Sequence, residues 1–97
     1  MIFCSLYSGS SGNSIFIGDK ESKILIDAGM PGKKIDEAMK SIGQDPSKLD
    51  GIFITHEHSD HIKGVGIISR KYDVPIYAND KTWAAMESSI GKVKEHN

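Results

Sequence analysis

Residues 56–61, with the sequence His-Glu-His-Ser-Asp-His, constrain this chain more than any other stretch. They follow the short apolar and β-branched segment 51–55, which predicts a buried strand. Three of the chain's four histidines fall in this window beside carboxylates. Imidazole nitrogen and carboxylate oxygen are ligands that suit zinc, manganese or iron. The pattern therefore predicts a metal site at the end of a strand.

The spacing of these side chains is compatible with a site that holds two ions. In an extended chain, side chains two residues apart leave the same face with Cα atoms roughly 6.5 Å apart, so His56 and His58 can converge on one ion. Asp60 and His61 are adjacent, and a turn there could direct them to a second ion. Two ions roughly 3.5–4 Å apart would form a hydrolytic centre. The alternative, a solvated polar loop, gives no physical reason to gather three histidines in one place.

Thr55–His61 matches the His-x-His-x-Asp-His signature, and the sequence around it resembles the metallo-β-lactamase fold superfamily. Four further segments resemble the YycJ (WalJ) branch of that superfamily: Ser-Gly-Ser-Ser-Gly-Asn at 8–13, Leu-Ile-Asp-Ala-Gly at 25–29, His-Ile-Lys-Gly at 61–64 and Tyr-Ala-Asn-Asp-Lys-Thr-Trp at 77–83. The resemblance extends over roughly residues 3–93. It implies that residues 1–97 are the N-terminal half of an αββα sandwich, a partial domain whose C-terminal half is absent from this chain.

The resemblance also implies roles for individual residues. His56 and His58 would bind the first of two divalent metal ions, and Asp60 and His61 the second, with zinc expected first and manganese or iron as alternatives. Asp60 would also orient or deprotonate the attacking water. Asp27 would support the ligand loop without binding metal, whereas an aspartate at a strand end is usually a turn or cap residue.

The same resemblance implies a 5′-to-3′ exonuclease acting on nucleic acid in the complete protein. A hydrolase of lactams, lactones or glutathione thioesters is the first alternative, because those branches share the signature. A non-catalytic fragment is the second. Family members complete the metal shell from their C-terminal half, and no position in this chain matches those ligands, so the 97-residue chain alone is expected to be inactive.

Composition limits the classes of partner. A chain of 97 residues with a net charge of −1 forms at most one domain and has no overall basic field for nucleic acid. No apolar stretch approaches the ~18 residues of a membrane span, and residues 1–20 lack the pattern of a signal peptide. Cys4 is the single cysteine, which excludes an intrachain disulfide and predicts a small core residue in a cytoplasmic protein.

The remaining pattern predicts an α/β unit in which helices cover one face of a sheet. Predicted strands occupy 2–7, 14–17, 23–26, 51–55 and 75–77, and predicted helices begin near Pro31, Asp60 and Asn79 or Asp80. The second helix is expected to run to Tyr72 as one element, with Gly64 and Gly66 allowing close approach to the metal loop.

Three smaller predictions complete the sequence-based description. The glycine–serine run at 8–13 is read as a connection needing positive φ at Gly9 and Gly12, with a phosphate cradle as the alternative. Trp83 is expected in the core, and His96 is not expected to bind metal. Half of a two-sheet fold would leave one sheet face without its partner, which predicts self-association.

Overall fold

The computed structural model describes residues 2–8, 12–55 and 59–90, with the side chains of 59, 60 and 88–90 left out. Within these ranges the strands are β1 Ile2–Tyr7, β2 Ser14–Gly18, β3 Lys23–Ile26, β4 Gly51–Phe53 and β5 Ile76–Tyr77. The helices are α1 Gly32–Ser41, α2 Ser59–Ile62, α3 Val65–Tyr72 and α4 Asp80–Ile90, with a 3₁₀ turn at Pro46–Lys48. None of the helices in the described ranges is long and apolar enough to cross a bilayer.

The strands form one mixed sheet in the order β1-β2-β3-β4-β5. β1 pairs with β2 and β2 with β3 in the antiparallel sense, whereas β3, β4 and β5 are parallel. Parallel neighbours need a crossover connection, and α1 supplies the first while α2 and α3 supply the second. This alternation confirms the predicted α/β class.

One row of side chains across the sheet forms the base of the core. Phe16 lies opposite Leu25, Leu25 opposite Ile52, and Ile52 opposite Ile76, and all four are fully buried. The helices cover this row with apolar residues at helical spacing: Ile35, Met39, Val65, Ile68, Trp83 and Met86. Burial of each large apolar side chain stabilises the fold by roughly 1.5–3 kcal/mol. Trp83 is therefore a core residue, as predicted.

The opposite face of the sheet is also apolar, yet its side chains stay partly or largely accessible. Strand alternation places on it Phe3, Ile15, Ile17, Ile24, Ile26, Phe53 and Tyr77. Phe53 and Tyr77 stack with ring centroids 4.7 Å apart. We call these seven residues the open face.

The predicted second helix is divided in the structure. α2 ends at Ile62 and α3 begins at Val65, because the backbone N–H of Gly64 donates to Ala28 O at 2.7 Å instead of continuing the helical ladder. A Cβ on Gly64 would lie 2.3 Å from Met30 O, so only glycine allows this approach. The predicted close approach is thus present at Gly64, where the nearest atoms among the described residues belong to Met30, Gly32 and Ile35. Residues 56–58 of the metal loop lie outside the described residues.

Other local predictions are mostly confirmed. Asn79 caps α4 by accepting the N–H of Thr82 at 2.8 Å. Gly12 has the expected positive φ, while Gly9 lies outside the described residues. The prediction for Cys4 was too strong: it shares the Phe16 face but is only half-buried, since β1 is the edge strand.

Candidate metal centre

The structure describes two of the five predicted site residues in full. Asp27 follows β3, and His61 lies in α2. Asp60 is also in α2, but its side chain is not described, and His56 and His58 lie outside the described residues. His96 lies outside them as well.

The ends of two parallel neighbours, β3 and β4, create this site. Carboxyl ends of adjacent parallel strands meet at one edge of a sheet, where loops can converge. Asp27 N–H donates to Phe53 O at 2.8 Å, which continues the ladder one step beyond β3. Ile54 N–H likewise donates to Tyr77 O at 2.9 Å. The pairing brings the chain after β3 beside Thr55, immediately before the predicted ligands.

The carboxylate of Asp27 gathers three donors at this edge. Its Oδ1 accepts the backbone N–H of Thr55 at 2.8 Å, and its Oδ2 accepts the Thr55 hydroxyl at 2.7 Å. The same Oδ2 lies 2.6 Å from Nδ1 of His61. The Asp27 side chain is only 7% exposed, and no buried side-chain polar atom among the described residues lacks a partner. A buried carboxylate needs such donors, because burial without them is costly.

This contact determines which nitrogen of His61 can bind a metal. An ionised carboxylate only accepts hydrogen bonds, so the 2.6 Å contact places the ring proton on Nδ1. The neutral ring then carries its lone pair on Nε2. A metal-binding histidine typically donates its second ring nitrogen to a carboxylate, which fixes both tautomer and ring orientation. The geometry of this pair therefore fits a metal ligand and its supporting carboxylate.

The backbone of Asp27 is as specific as its side chain. Its φ is +63°, a left-handed conformation that costs a non-glycine residue roughly 1–2 kcal/mol. The Asp27 carbonyl accepts the buried hydroxyl of Ser14 at 2.9 Å. The next N–H, of Ala28, donates to His61 O at 2.8 Å. Contacts from two directions thus hold this residue in a conformation that it would otherwise avoid.

The sequence did not single out Ser14 or Thr55 for these roles. Thr55 was part of the quoted signature, but its two bonds to one carboxylate depend on a contact 28 residues away. Ser14 begins a strand whose alternate residues, Phe16 and Gly18, are buried. A polar residue on a buried strand face was the available signal, because such groups normally have a specific partner.

The described residues contain no group of three or more metal-binding side chains. The described part of the candidate centre is Asp27 with its hydrogen-bond partners, which include one predicted ligand, His61. Its donor chemistry, imidazole oriented by carboxylate, matches what zinc and similar ions require.

Comparison with known proteins identifies the family of this chain. Residues 7–96 match the family model of the metallo-beta-lactamase superfamily. The chain is 50% identical over 91 residues to the exodeoxyribonuclease YycJ of Bacillus anthracis, covering 94% of this chain and 34% of that protein. It is 56% identical over 90 residues to the exodeoxyribonuclease WalJ of Streptococcus pneumoniae serotype 2, covering 91% of this chain and 34% of that protein.

Solved structures support the fold. A metallo-beta-lactamase of Cronobacter sakazakii with a HARLDQ motif superposes with a TM-score of 0.77 at 19% identity, covering 84% of this chain and 34% of that one. At this identity the likeness concerns the fold alone. The chain spans about a third of the length of the curated relatives. With nearly its whole length matched by the family model, the chain belongs to the metallo-beta-lactamase superfamily.

Proposed function

We propose that this chain supplies the His56, His58, Asp60 and His61 ligands of a two-metal hydrolase centre. The observation that supports the proposal best is the Asp27 carboxylate, which contacts both Thr55 and His61 on either side of the ligand loop. Closing both ends of this loop on one buried group is expected to limit the positions its side chains can take.

The residues of this chain divide the chemistry between binding and proton handling. His56, His58 and His61 would bind through imidazole nitrogen, with zinc expected first and manganese or iron as alternatives. When bound, the two metal ions would supply an activated water and stabilise charge on the reacting oxygens. Asp60 is assigned to orient this water and accept its proton. Asp27 is assigned to accept the hydrogen bond from Nδ1 of His61, which lies 2.6 Å from its Oδ2, and no metal ion is assigned to it.

The substrate we propose is nucleic acid, shortened from its 5′ end in the complete protein. Its support is the identity of 50% and 56% to two proteins named as exodeoxyribonucleases. The alternative, a small-molecule lactam, lactone or thioester, has as its support a signature and a fold that are common to many branches. Because the net charge of this chain is −1, a basic surface for nucleic acid would have to be local or lie outside it. We place the protein in the cytoplasm.

The test uses the complete gene product with manganese or zinc added. Wild-type protein should shorten end-labelled single-stranded DNA from the 5′ end, and Asp60→Asn should abolish this while leaving the protein folded. Asp36→Asn, a carboxylate on α1, is the matched control and should retain activity. Intact oligonucleotides with metal-replete, folded wild-type protein would reject the nuclease. Opening of a lactone, thioester or lactam under the same conditions would favour the alternative. The 97-residue chain should be inactive in both assays.

We also propose that the 97-residue chain self-associates through its open face. Exposed apolar patches of several hundred Å² usually mark interaction surfaces. Sedimentation of the wild-type chain should show dimers or larger species that increase with concentration. Phe53→Lys, on the open face and 40% exposed, should reduce association, whereas Ile67→Lys, on α3 and 49% exposed, should not. A compact monomer at all concentrations would contradict the proposal.

A further inference from the structure

Ser14 is a buried hydroxyl that the proposed chemistry does not use. The residue is fully buried at the start of β2, and its Oγ donates to the backbone carbonyl of Asp27 at 2.9 Å. The backbone of Ser14 pairs with β1, so its side chain joins the antiparallel part of the sheet to the segment after β3. The contact therefore links two strands at the edge where the ligand loop begins.

The carbonyl that Ser14 holds belongs to a peptide group with a second contact. A peptide group is planar, and its C=O and N–H point in opposite directions when the bond is trans. The C=O of the group between Asp27 and Ala28 accepts from Ser14, while its N–H donates to His61 O at 2.8 Å. A rotation of this plane would disturb both bonds together. The hydroxyl of Ser14 thus restrains a peptide group whose N–H is bonded to the backbone carbonyl of His61.

Asp27 also contacts the imidazole ring of His61 through its side chain. The Asp27 carboxylate lies 2.6 Å from Nδ1 of that ring, and the side-chain direction depends on the left-handed backbone at φ of +63°. Two further bonds reinforce the segment: Gly29 N–H donates to Asn13 O at 2.9 Å, and Gly64 N–H donates to Ala28 O at 2.7 Å. The segment 27–29 is therefore fixed to the start of β2 on one side and to α2 on the other.

We infer that Ser14 is a positioning residue for the metal centre, acting through the Asp27–Ala28 peptide on both the backbone and the ring of His61. This inference rests on the proposed role of His61 as a metal ligand. Ser14 does not touch the metal or the substrate. Its hydroxyl holds the left-handed conformation of Asp27, without which the carboxylate would have no fixed position between Thr55 and His61.

The test compares two buried serines that have the same local chemistry. Ser69 is 4% exposed, and its Oγ donates to Val74 O at 2.7 Å near the end of α3. Ser14→Ala and Ser69→Ala each remove one hydroxyl from one buried backbone carbonyl, so both should lower the melting temperature of the 97-residue chain. Only Ser14→Ala should change the ¹⁵N shifts of the His61 ring in metal-free protein at fixed pH. It should also weaken zinc affinity by about 3- to 10-fold, less than loss of a direct partner of the ligand, with Ser69→Ala within about 2-fold.

Ser14→Cys keeps the approximate volume of the side chain with a weaker donor, and decides the question if Ser14→Ala does not fold. Its His61 ring shifts and its zinc affinity should lie between those of wild type and those expected when the hydrogen bond from Ser14 to Asp27 O is lost completely. Zinc binding with the same ring shifts and affinity in the Ser14 and Ser69 variants would overturn the positioning role. Absence of zinc binding by the wild-type chain would instead reject the proposed function, whatever the ring shifts show.

Discussion

Asp27 and Asp36 each accept three hydrogen bonds, but they lie in different parts of the fold and connect different elements. Asp27 accepts from the N–H and hydroxyl of Thr55 and from His61, all at the carboxyl edge of β3 and β4. Asp36, within α1, accepts from Tyr72 at 2.5 Å and from Lys40 and Lys71, both at 3.3 Å. The first carboxylate contacts residues on both sides of the predicted ligand loop, and the second connects α1 to α3.

The difference lies in the backbone beneath each carboxylate. Asp36 occupies a regular helix, where its side chain reaches the neighbouring helix without conformational cost. Asp27 occupies a left-handed turn that other contacts must hold in place. Backbone strain concentrated at a strand end, beside predicted metal ligands, is typical of functional positions. The comparison indicates that the number of partners is a poor guide to function, and that location and backbone conformation are better ones.

Removal of the Asp27 carboxylate should give the largest effect. In the complete protein, Asp27→Ala should lower metal content or activity by about 10- to 100-fold, because an orienting carboxylate is lost from a ligand. Metal analysis and turnover of the purified protein measure this. Asp36→Ala is the control and should change metal content by less than about 2-fold. Equal metal content and turnover in wild type and Asp27→Ala would leave Asp27 as a turn residue only.

Removal of the Asp36 charge should act on stability instead. Asp36→Asn should lower the free energy of unfolding by about 1–2 kcal/mol at neutral pH. Most of this loss should come from the weaker hydrogen bond that the Tyr72 hydroxyl makes to an uncharged side chain. Lys40 and Lys71 are more than half exposed, and ion pairs with exposed lysines contribute little. Tyr72→Phe should therefore destabilise the chain more than Lys71→Ala does in a urea titration. Zinc affinity should not change, and a large loss of it would break the distinction between the two clusters.

The Asp36 effect should also depend on pH. Burial alone would raise the pKa of Asp36, but hydrogen bonds from Tyr72, Lys71 and Lys40 outweigh it and hold the pKa below its ordinary value of 3.8. A carboxyl whose pKa is lower in the folded state stabilises the fold above its unfolded pKa, and this stabilisation is lost as pH falls through the folded pKa. The stability difference between wild type and Asp36→Asn should thus persist at pH 5–7 and shrink below about 3.8.

The sequence predicted much of this fold because its signals were local. Alternating and helical apolar spacing identified the strands and helices, and the buried row from Phe16 to Ile76 follows from strand alternation. Asn79 was recognisable as the start of a helix for the same reason. The split between α2 and α3 was not predicted, since it depends on Gly64 donating to Ala28, 36 positions earlier.

The sequence predicts the candidate ligands directly, and it indicates the residues that contact them less completely. Residue types and spacing singled out His56, His58, Asp60 and His61, and resemblance pointed to Asp27. The Asp27–Ala28 peptide group, which is hydrogen-bonded to both Ser14 and His61, joins three separate parts of the chain. No pattern within a short window of sequence carries such information. Its recognition required the left-handed φ of Asp27 and the direction of one carbonyl.

Zinc titration of the 97-residue chain by calorimetry tests whether segment 56–61 binds metal. We expect weak but measurable binding by the wild-type chain, because four ligands of the proposed centre lie in this segment. His56→Ala/His58→Ala should abolish that binding while leaving the melting temperature close to that of wild type. Equal zinc binding by the two proteins would contradict the assignment of this segment as the metal centre.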